Sequence, residues 1–262
     1  MVSGRVIENR TVAGPYFELI IEQPDIARKA RAGQFVQVRC GSGTDPLLCR
    51  PMSIEWADAD AGRIRFLIRI MGKGSTLLSQ ARPGDQVGLV GPLGNTYGFS
   101  PDDDGAQVLV AGGAGVAPLL FLAKEIVEAA RGDRLVAMVG ASSGGQLLRV
   151  GELRAMGANV MLTTDDATEG FAGTVAALFG DELDRGGLGR IAKVYACGPL
   201  PMMKAVAEDC ARRRIACEVS LETYMACGTG ICLGCMVRTK DGSMIRTCKE
   251  GPIFDAATLE WE

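Results

Sequence analysis

Four of the nine cysteines crowd into the last 36 residues, as Cys227, Cys232, Cys235 and Cys248. Their spacing is C-x4-C-x2-C, then twelve residues to the fourth, which is the plant-type pattern for a 2Fe–2S cluster. Such a loop must wrap two irons and two bridging sulfides, so its thiolates surround a rhomb and not a point. Gly228, Gly230 and Gly234 lie among them, where positive φ and bare backbone let N–H groups approach the sulfides. A zinc site of four cysteines is the competing reading. It usually shows two C-x2-C knuckles, and only one is present here.

Three further stretches carry residues suited to nucleotide cofactors. Arg50-Pro51-Met52-Ser53 opens a strand, and Gly72-Lys73-Gly74-Ser75-Thr76 is a Gly-rich turn before a short helix. Backbone N–H groups of that turn can hold a pyrophosphate. Arg50 can pair with the same phosphates, and Ser53 can hydrogen-bond a flavin ring edge. Next, Val108–Ala111 runs into Gly112-Gly113-Ala114-Gly115-Val116-Ala117-Pro118, a strand, a glycine turn and a helix start suited to a dinucleotide. It departs from GxGxxG because Pro118 takes the third glycine position. Finally, Cys197-Gly198-Pro199 ends a strand where open α/β sheets bind ligands, so Cys197 is expected near a nicotinamide ring. A small buried residue before a Gly-Pro turn is the plainer reading of Cys197.

The elements that must position these residues fall into three segments. Residues 1–98 read as short strands (Val2–Arg10, Tyr16–Glu22, Phe35–Cys40, Met52–Trp56, Arg63–Ile70, Gln86–Val90) with one short helix near Ser75–Ala81. Gly/Pro punctuation between many short strands predicts an antiparallel β-barrel. Residues 99–214 alternate strands (Gln107–Ala111, Leu135–Gly140, Asn159–Thr163, Lys193–Ala196) with helices. The helices are expected from the glycine turn to about Ala130, then over Gln146–Met156, Thr174–Leu183 and Pro201–Arg213. That alternation predicts a parallel-sheet nucleotide domain with both faces covered. Residues 215–262 form a small tail: a strand Glu218–Leu221, the cysteine loop, and a hairpin over Met236–Thr247 turning at Asp241-Gly242. The fold class is therefore multi-domain, β followed by α/β, with a small C-terminal cluster module.

Composition removes other functions. The chain has no histidine, which excludes Ser-His triads, His-ligated zinc hydrolases and His general bases. A net charge of −3 argues against a nucleic-acid surface. The charge runs Asp102–Asp104 and Arg212–Arg214 read as solvated surface. Cys40, Cys49, Cys197, Cys210 and Cys217 are scattered, and an odd total argues against a disulfide framework. The N-terminus lacks a signal-peptide pattern and the apolar runs are strand-sized, so a soluble cytoplasmic protein is expected. After the second α/β strand, Ser142-Ser143-Gly144-Gly145 offers no base before Arg149, which favours NAD over NADP.

In this order the parts resemble the ferredoxin-reductase superfamily and, within it, the electron-transfer subunits of class 1B dihydroorotate dehydrogenases. Besides the stretches above, Ser220-Leu221-Glu222 leading into Met225-Ala226-Cys227-Gly228 carries the likeness, which spans nearly the whole chain. The resemblance implies FAD in the barrel, NAD on the α/β domain and one 2Fe–2S cluster in the tail. It implies FAD contacts at Arg50 through Ser53, at Leu67, Ile68 and Arg69, and at Gly74 with Ser75. It also implies an FMN-containing catalytic partner that oxidises dihydroorotate, in a heterotetramer with two copies of each subunit. Ser75 stands where the family usually has Thr. The related NADH-dependent ferredoxin:NADP reductase subunits typically replace one cluster cysteine by Asp, whereas all four are present here. A free-standing NAD(P)H reductase feeding a ferredoxin or oxygenase is the alternative.

Overall fold

The computed structural model describes residues 1–41, 43–100, 103–129 and 134–261. The first half contains β1 (Val2–Ala13), β2 (Tyr16–Glu22), α1 (Pro24–Lys29), β3 (Phe35–Val38), β4 (Arg50–Ser53), β5 (Trp56–Asp58), β6 (Arg63–Arg69), α2 (Lys73–Ser79) and β7 (Gln86–Leu93). Its strands form one antiparallel sheet in the order β4-β3-β7-β1-β2-β6-β5. No ladder joins the end strands β4 and β5 among the described residues. They are two halves of one bent segment, so the sheet curls until its ends meet through the chain. At the bend the Ile54 amide donates to the Gln34 carbonyl (3.0 Å) and the Glu55 amide to that of Arg65 (2.9 Å). A barrel was expected; the domain is instead an antiparallel sheet, strongly curled, whose end strands share no ladder among the described residues.

Two differences from the sequence reading stand out here. The single strand expected over Met52–Trp56 is broken, because Glu55 turns its carboxylate into the protein and interrupts the alternation. A second short helix, α1, interrupts the strands where only one was expected. Pro24 starts it, and the Gln23 side chain accepts from the Ile26 amide at 2.9 Å. A capped helix of six residues is too short to leave a readable period.

The second half holds β8 (Ala106–Gly112), α3 (Val116–Glu128), β9 (Leu135–Ala141), α4 (Val150–Ala155), β10 (Asn159–Thr164), β11 (Phe171–Ala172), α5 (Val175–Arg185), β12 (Ile191–Cys197), α6 (Leu200–Arg213), β13 (Cys217–Ser220), β14 (Met236–Arg238), β15 (Met244–Arg246) and β16 (Ile253–Asp255). The sheet order is β11-β10-β9-β8-β12-β13-β16, parallel except for β16. β13 and β16 belong to this sheet although they lie beyond residue 215, and β14 with β15 forms the separate hairpin. The strands β11 and β16 were not expected from the sequence. Asp102 of the acidic run and Ala130 at the expected end of α3 lie outside the described residues. Helix α4 begins only at Val150, later than the expected Gln146, since Arg149 adopts a left-handed φ of 59°.

Helix α3 is buried along most of its length and carries one continuous core from the curled sheet onto the face of the parallel sheet. Helices α5 and α6 cover the other face, together with the tail. Polar contacts fix the junction between the halves. Arg149 reaches from the α/β half to Glu55 (Nε–Oε1 2.6 Å, Nη2–Oε2 2.7 Å) and Glu18 (Nη2–Oε2 2.6 Å) of the curled sheet. Arg65 adds contacts to Glu55 and to Glu152 of α4 at 2.9 and 2.7 Å. Glu55 is 0% and Glu18 2% exposed. Buried carboxylates of this kind require their cation.

Arg149→Leu leaves both carboxylates buried without their main partner. A loss of about 3–5 kcal/mol in unfolding free energy is expected from denaturant titration, and a near-neutral result would show that Arg65 alone satisfies the pair.

Candidate functional site

The cysteine loop spans the gap between β13 and β14. Gly228 and Gly230 take positive φ (70° and 87°), as the sequence reading requires. Gly234 does not. Leu233 adopts the left-handed conformation instead, with φ 59°, and Gly234 only leaves room beside the Cys232 sulfur, 3.6 Å from where a Cβ would stand. A leucine there is held against its preference by about 1–2 kcal/mol. The loop is braced from the hairpin: Arg246 Nη1 donates to the Gly230 carbonyl (3.1 Å), and its Nε is held by Glu250 (2.9 Å). The Thr247 amide donates to the Cys235 carbonyl at 2.9 Å.

The four thiols fall into two pairs, Cys227 with Cys232 and Cys235 with Cys248. Cys232 is exposed and Cys227 half-buried, whereas Cys235 and Cys248 are buried against Phe35, Leu93 and Met225. The Thr229 amide points at the Cys227 sulfur (3.4 Å). That amide and the Cys232 backbone push the Cys227 thiol down to about 5, so it is a thiolate at neutral pH. Burial, with Cys235 beside it, pushes Cys248 up to about 11. Among the described residues no three His, Cys, Asp or Glu side chains converge as ligands of one ion would. Two pairs fit a two-iron rhomb. The buried Thr247 hydroxyl and the Gln37 amide beside the loop have no hydrogen-bond partner among the described residues, as expected where a polar group belongs.

The flavin-side residues are brought together by strand pairing. β4 lies on β3 with Arg50 opposite Val38 and Ser53 opposite Phe35. Arg50 Nη1 donates to the Leu48 carbonyl (2.8 Å) and crosses over Gly74, where a Cβ would stand 3.0 Å from its Nε. Pro51 and Met52 lie between Arg50 and Ser53 on the same strand, half-buried. Ser75, expected beside the FAD with Gly74, also closes its own turn. Its hydroxyl accepts from the Met71 and Gly72 amides (2.9 and 3.1 Å) and donates to the Gly72 carbonyl (2.9 Å). It shapes the turn. Leu67 and Ile68 are buried in the core, and Arg69 lies exposed with its guanidinium 5.9 Å from the Tyr16 ring centroid.

On the nucleotide side, the chain leaves β8 in one direction toward β9 and β10, then returns to β12 on the other side of β8. The crevice between the carboxyl ends of β8 and β12 is thus the topological switch point, where such sheets bind ligands. Both predicted motifs end there. A Cβ on Gly115 would stand 2.1 Å from the Cys197 carbonyl oxygen, and one on Gly198 3.0 Å from the Gly112 Cα. Backbone packs on backbone. A Cβ on Gly112 would stand 2.9 Å from the Pro199 Cδ, and one on Gly113 3.2 Å from the Tyr16 hydroxyl. Tyr16 therefore joins the nucleotide turn to Arg69 of the flavin side, a link the sequence did not signal. Cys197 is 1% exposed, and burial followed by the Glu222 charge pushes its thiol up, so it stays neutral. The protein around Glu222 pushes that carboxyl up too.

Three family models match the chain in this order: an oxidoreductase FAD-binding domain over 8–97, an oxidoreductase NAD-binding domain over 109–208, and the iron-sulfur cluster binding domain of dihydroorotate dehydrogenase B over 222–260. A dihydroorotate dehydrogenase B (NAD(+)) electron transfer subunit from Desulforamulus reducens is 40% identical, over 98% of this chain and 97% of its own. The chain belongs to the family of dihydroorotate dehydrogenase B electron transfer subunits. Family members from Geobacillus thermodenitrificans and Streptococcus pneumoniae strain R6 are 36% and 34% identical, each over 97% of this chain and 96% of theirs. Among solved structures, the NADH-dependent reduced ferredoxin-NADP oxidoreductase aligns with a TM-score of 0.87 at 28% identity, over 100% of this chain and 91% of that one. A ferredoxin NADP+ reductase from Neisseria gonorrhoeae shares the fold, with a TM-score of 0.66 at 19% identity, over 80% of this chain and 90% of that one. The family's domains for FAD, NAD and an iron–sulfur cluster are all present, in an oxidoreductase subunit of ferredoxin-reductase fold.

Gly115→Ala must push the two backbone segments away from each other, at about 1–3 kcal/mol of stability. Weaker NADH binding is expected by titration, and unchanged affinity would place the nicotinamide away from this crevice.

Proposed function

We propose that this chain relays electrons from an FMN-containing, dihydroorotate-oxidising subunit to NAD+, with Cys227, Cys232, Cys235 and Cys248 holding a 2Fe–2S cluster at the entry. Membership of the family carries the reading, and the cysteine loop supports it at the residue level. When bound, the flavin exchanges single electrons with the cluster and a hydride with the nicotinamide, which is why it stands between them.

The protein's own role is positioning. Arg50, Pro51, Met52 and Ser53, with Leu67 to Arg69 and the turn at Gly74 and Ser75, hold the FAD. Gly112, Gly113 and Gly115 with Cys197, Gly198 and Pro199 cradle the NAD. Cys197 is neutral and buried, so it shapes the crevice and transfers no proton. Arg149 is enclosed by carboxylates and is not free to meet a 2′-phosphate, which supports NAD over NADP.

The partner surface is read from the cluster loop. Ile231 and Leu233 flank the exposed Cys232 at 83% and 58% exposure, and Tyr224 precedes the loop at 97%. Apolar side chains grouped at an exposed site mark a docking surface. The catalytic subunit sits there, two copies of each chain assembling as a heterotetramer. No helix among the described residues is long and apolar enough to cross a membrane, in keeping with work in the cytoplasm.

The decisive test is co-expression with a candidate catalytic subunit, scored by dihydroorotate-dependent reduction of NAD+. Cys232→Ser is expected to remove or destabilise the cluster and cut that activity at least tenfold, while NADH oxidation by an artificial dye persists. Dihydroorotate oxidation by this chain alone would contradict the division of labour. A free-standing reductase would instead purify without a partner and reduce a ferredoxin.

A further inference from the structure

Strand β3 has two faces. Val36 and Val38 turn into the core of the curled sheet, both 0% exposed. Alternation along a strand then sends Phe35 and Gln37 to the opposite face. Phe35 packs there against Cys235 and Cys248. Gln37 lies under the other half of the loop. A Cβ built on Gly228, the neighbour of Cys227, would stand 2.5 Å from the Gln37 Cγ and 2.7 Å from its Nε2.

The Gln37 side chain is 1% exposed, and neither its amide nitrogen nor its amide oxygen has a hydrogen-bond partner among the described residues. A primary amide has two N–H donors and one acceptor oxygen, and native proteins rarely bury such a group unpaired. The positive φ of Gly228 is what lets the loop come down onto it. An amide left without partners beside four cysteines is suited to a ligand with sulfur acceptors.

We propose that Gln37 is the flavin domain's hydrogen-bond donor to the iron–sulfur cluster, its amide N–H directed to sulfur on the Cys227 side. This rests on the cofactor reading above and extends it to a residue outside the cluster module. A cluster gains negative charge on reduction, so a donor to its sulfur favours the reduced form and raises its potential. The same strand pairs with the flavin strand, Gln37 opposite Pro51 and Phe35 opposite Ser53. One backbone ladder therefore sets both the position of the cluster relative to the flavin site and the energy of the electron held there.

The test uses the full chain, purified anaerobically with its cofactors, and the variants Gln37→Leu and Gln37→Glu. Iron and acid-labile sulfide are measured first, then the cluster potential by redox titration and the EPR g values of the reduced state. Gln37→Leu is expected to shift the one-electron equilibrium about tenfold toward the oxidised form, or ~59 mV, with altered g values. Gln37→Glu, of the same shape but placing a carboxylate there, shifts at least as far in the same direction. Wild-type potential and g values in either iron-loaded variant would overturn the proposal, as would a shift confined to the flavin potential. If neither variant retains iron, Gln37→Asn decides: a smaller shift of the same sign supports the donor, and none refutes it. A wild-type protein without the EPR signal of a reduced two-iron cluster would overturn the cofactor reading itself.

Discussion

The guanidinium of Arg149 lies almost out of reach of water, held by Glu55 and Glu18 from the curled sheet and by Glu152 of the helix that Arg149 precedes. Three carriers that exchange electrons need fixed separations, and two domains joined by one linker would not supply them unaided. A buried multivalent ion cluster does. It is unforgiving of slippage, because any sliding would leave a charge unpaired in a medium of low dielectric. The continuous core along α3 adds adhesion, and the ion cluster adds register.

From that junction the three sites take their places. Tyr16 lies beside the glycine turn at Gly113 and against Arg69, so one side chain stands between the residues proposed for the flavin and for the nicotinamide. Next to the far edge of the same sheet, β3 supports the cysteine loop through Phe35 and lies beside the edge strand β4. Asn95 stitches the tail to the linker, its Nδ2 donating to the carbonyls of Glu250 (2.9 Å) and Ile253 (2.7 Å). The cluster loop is thus tied to the flavin domain at one end and to the parallel sheet through β13 and β16 at the other.

Much of the site was legible because it is local. Cysteine spacing, the glycine turn after β8 and the Asp-Gly hairpin each sit within a few residues, and each constrains the backbone by chemistry that travels with the residue type. Reading failed where the deciding partner is remote. Gly234 looked like a positive-φ position, yet Leu233 takes that role. Arg149 stood in the sequence only as the first base after the second α/β strand, and its buried partners Glu55 and Glu18 lie more than ninety positions earlier in the chain.

Residue types and their spacing alone pointed to an iron–sulfur module, to the order of the flavin, nicotinamide and cluster segments, and to most of the strands. These follow from short-range sterics and ligand valence, which need no knowledge of the rest of the chain. Only the tertiary structure decided which strand would carry the cluster loop, where the chain reverses to open the nucleotide crevice, and that a lone glutamine would lie unpaired beside Cys227. Those outcomes depend on which surfaces meet when the core closes, and surfaces far apart along the chain leave no mark on one another's sequence.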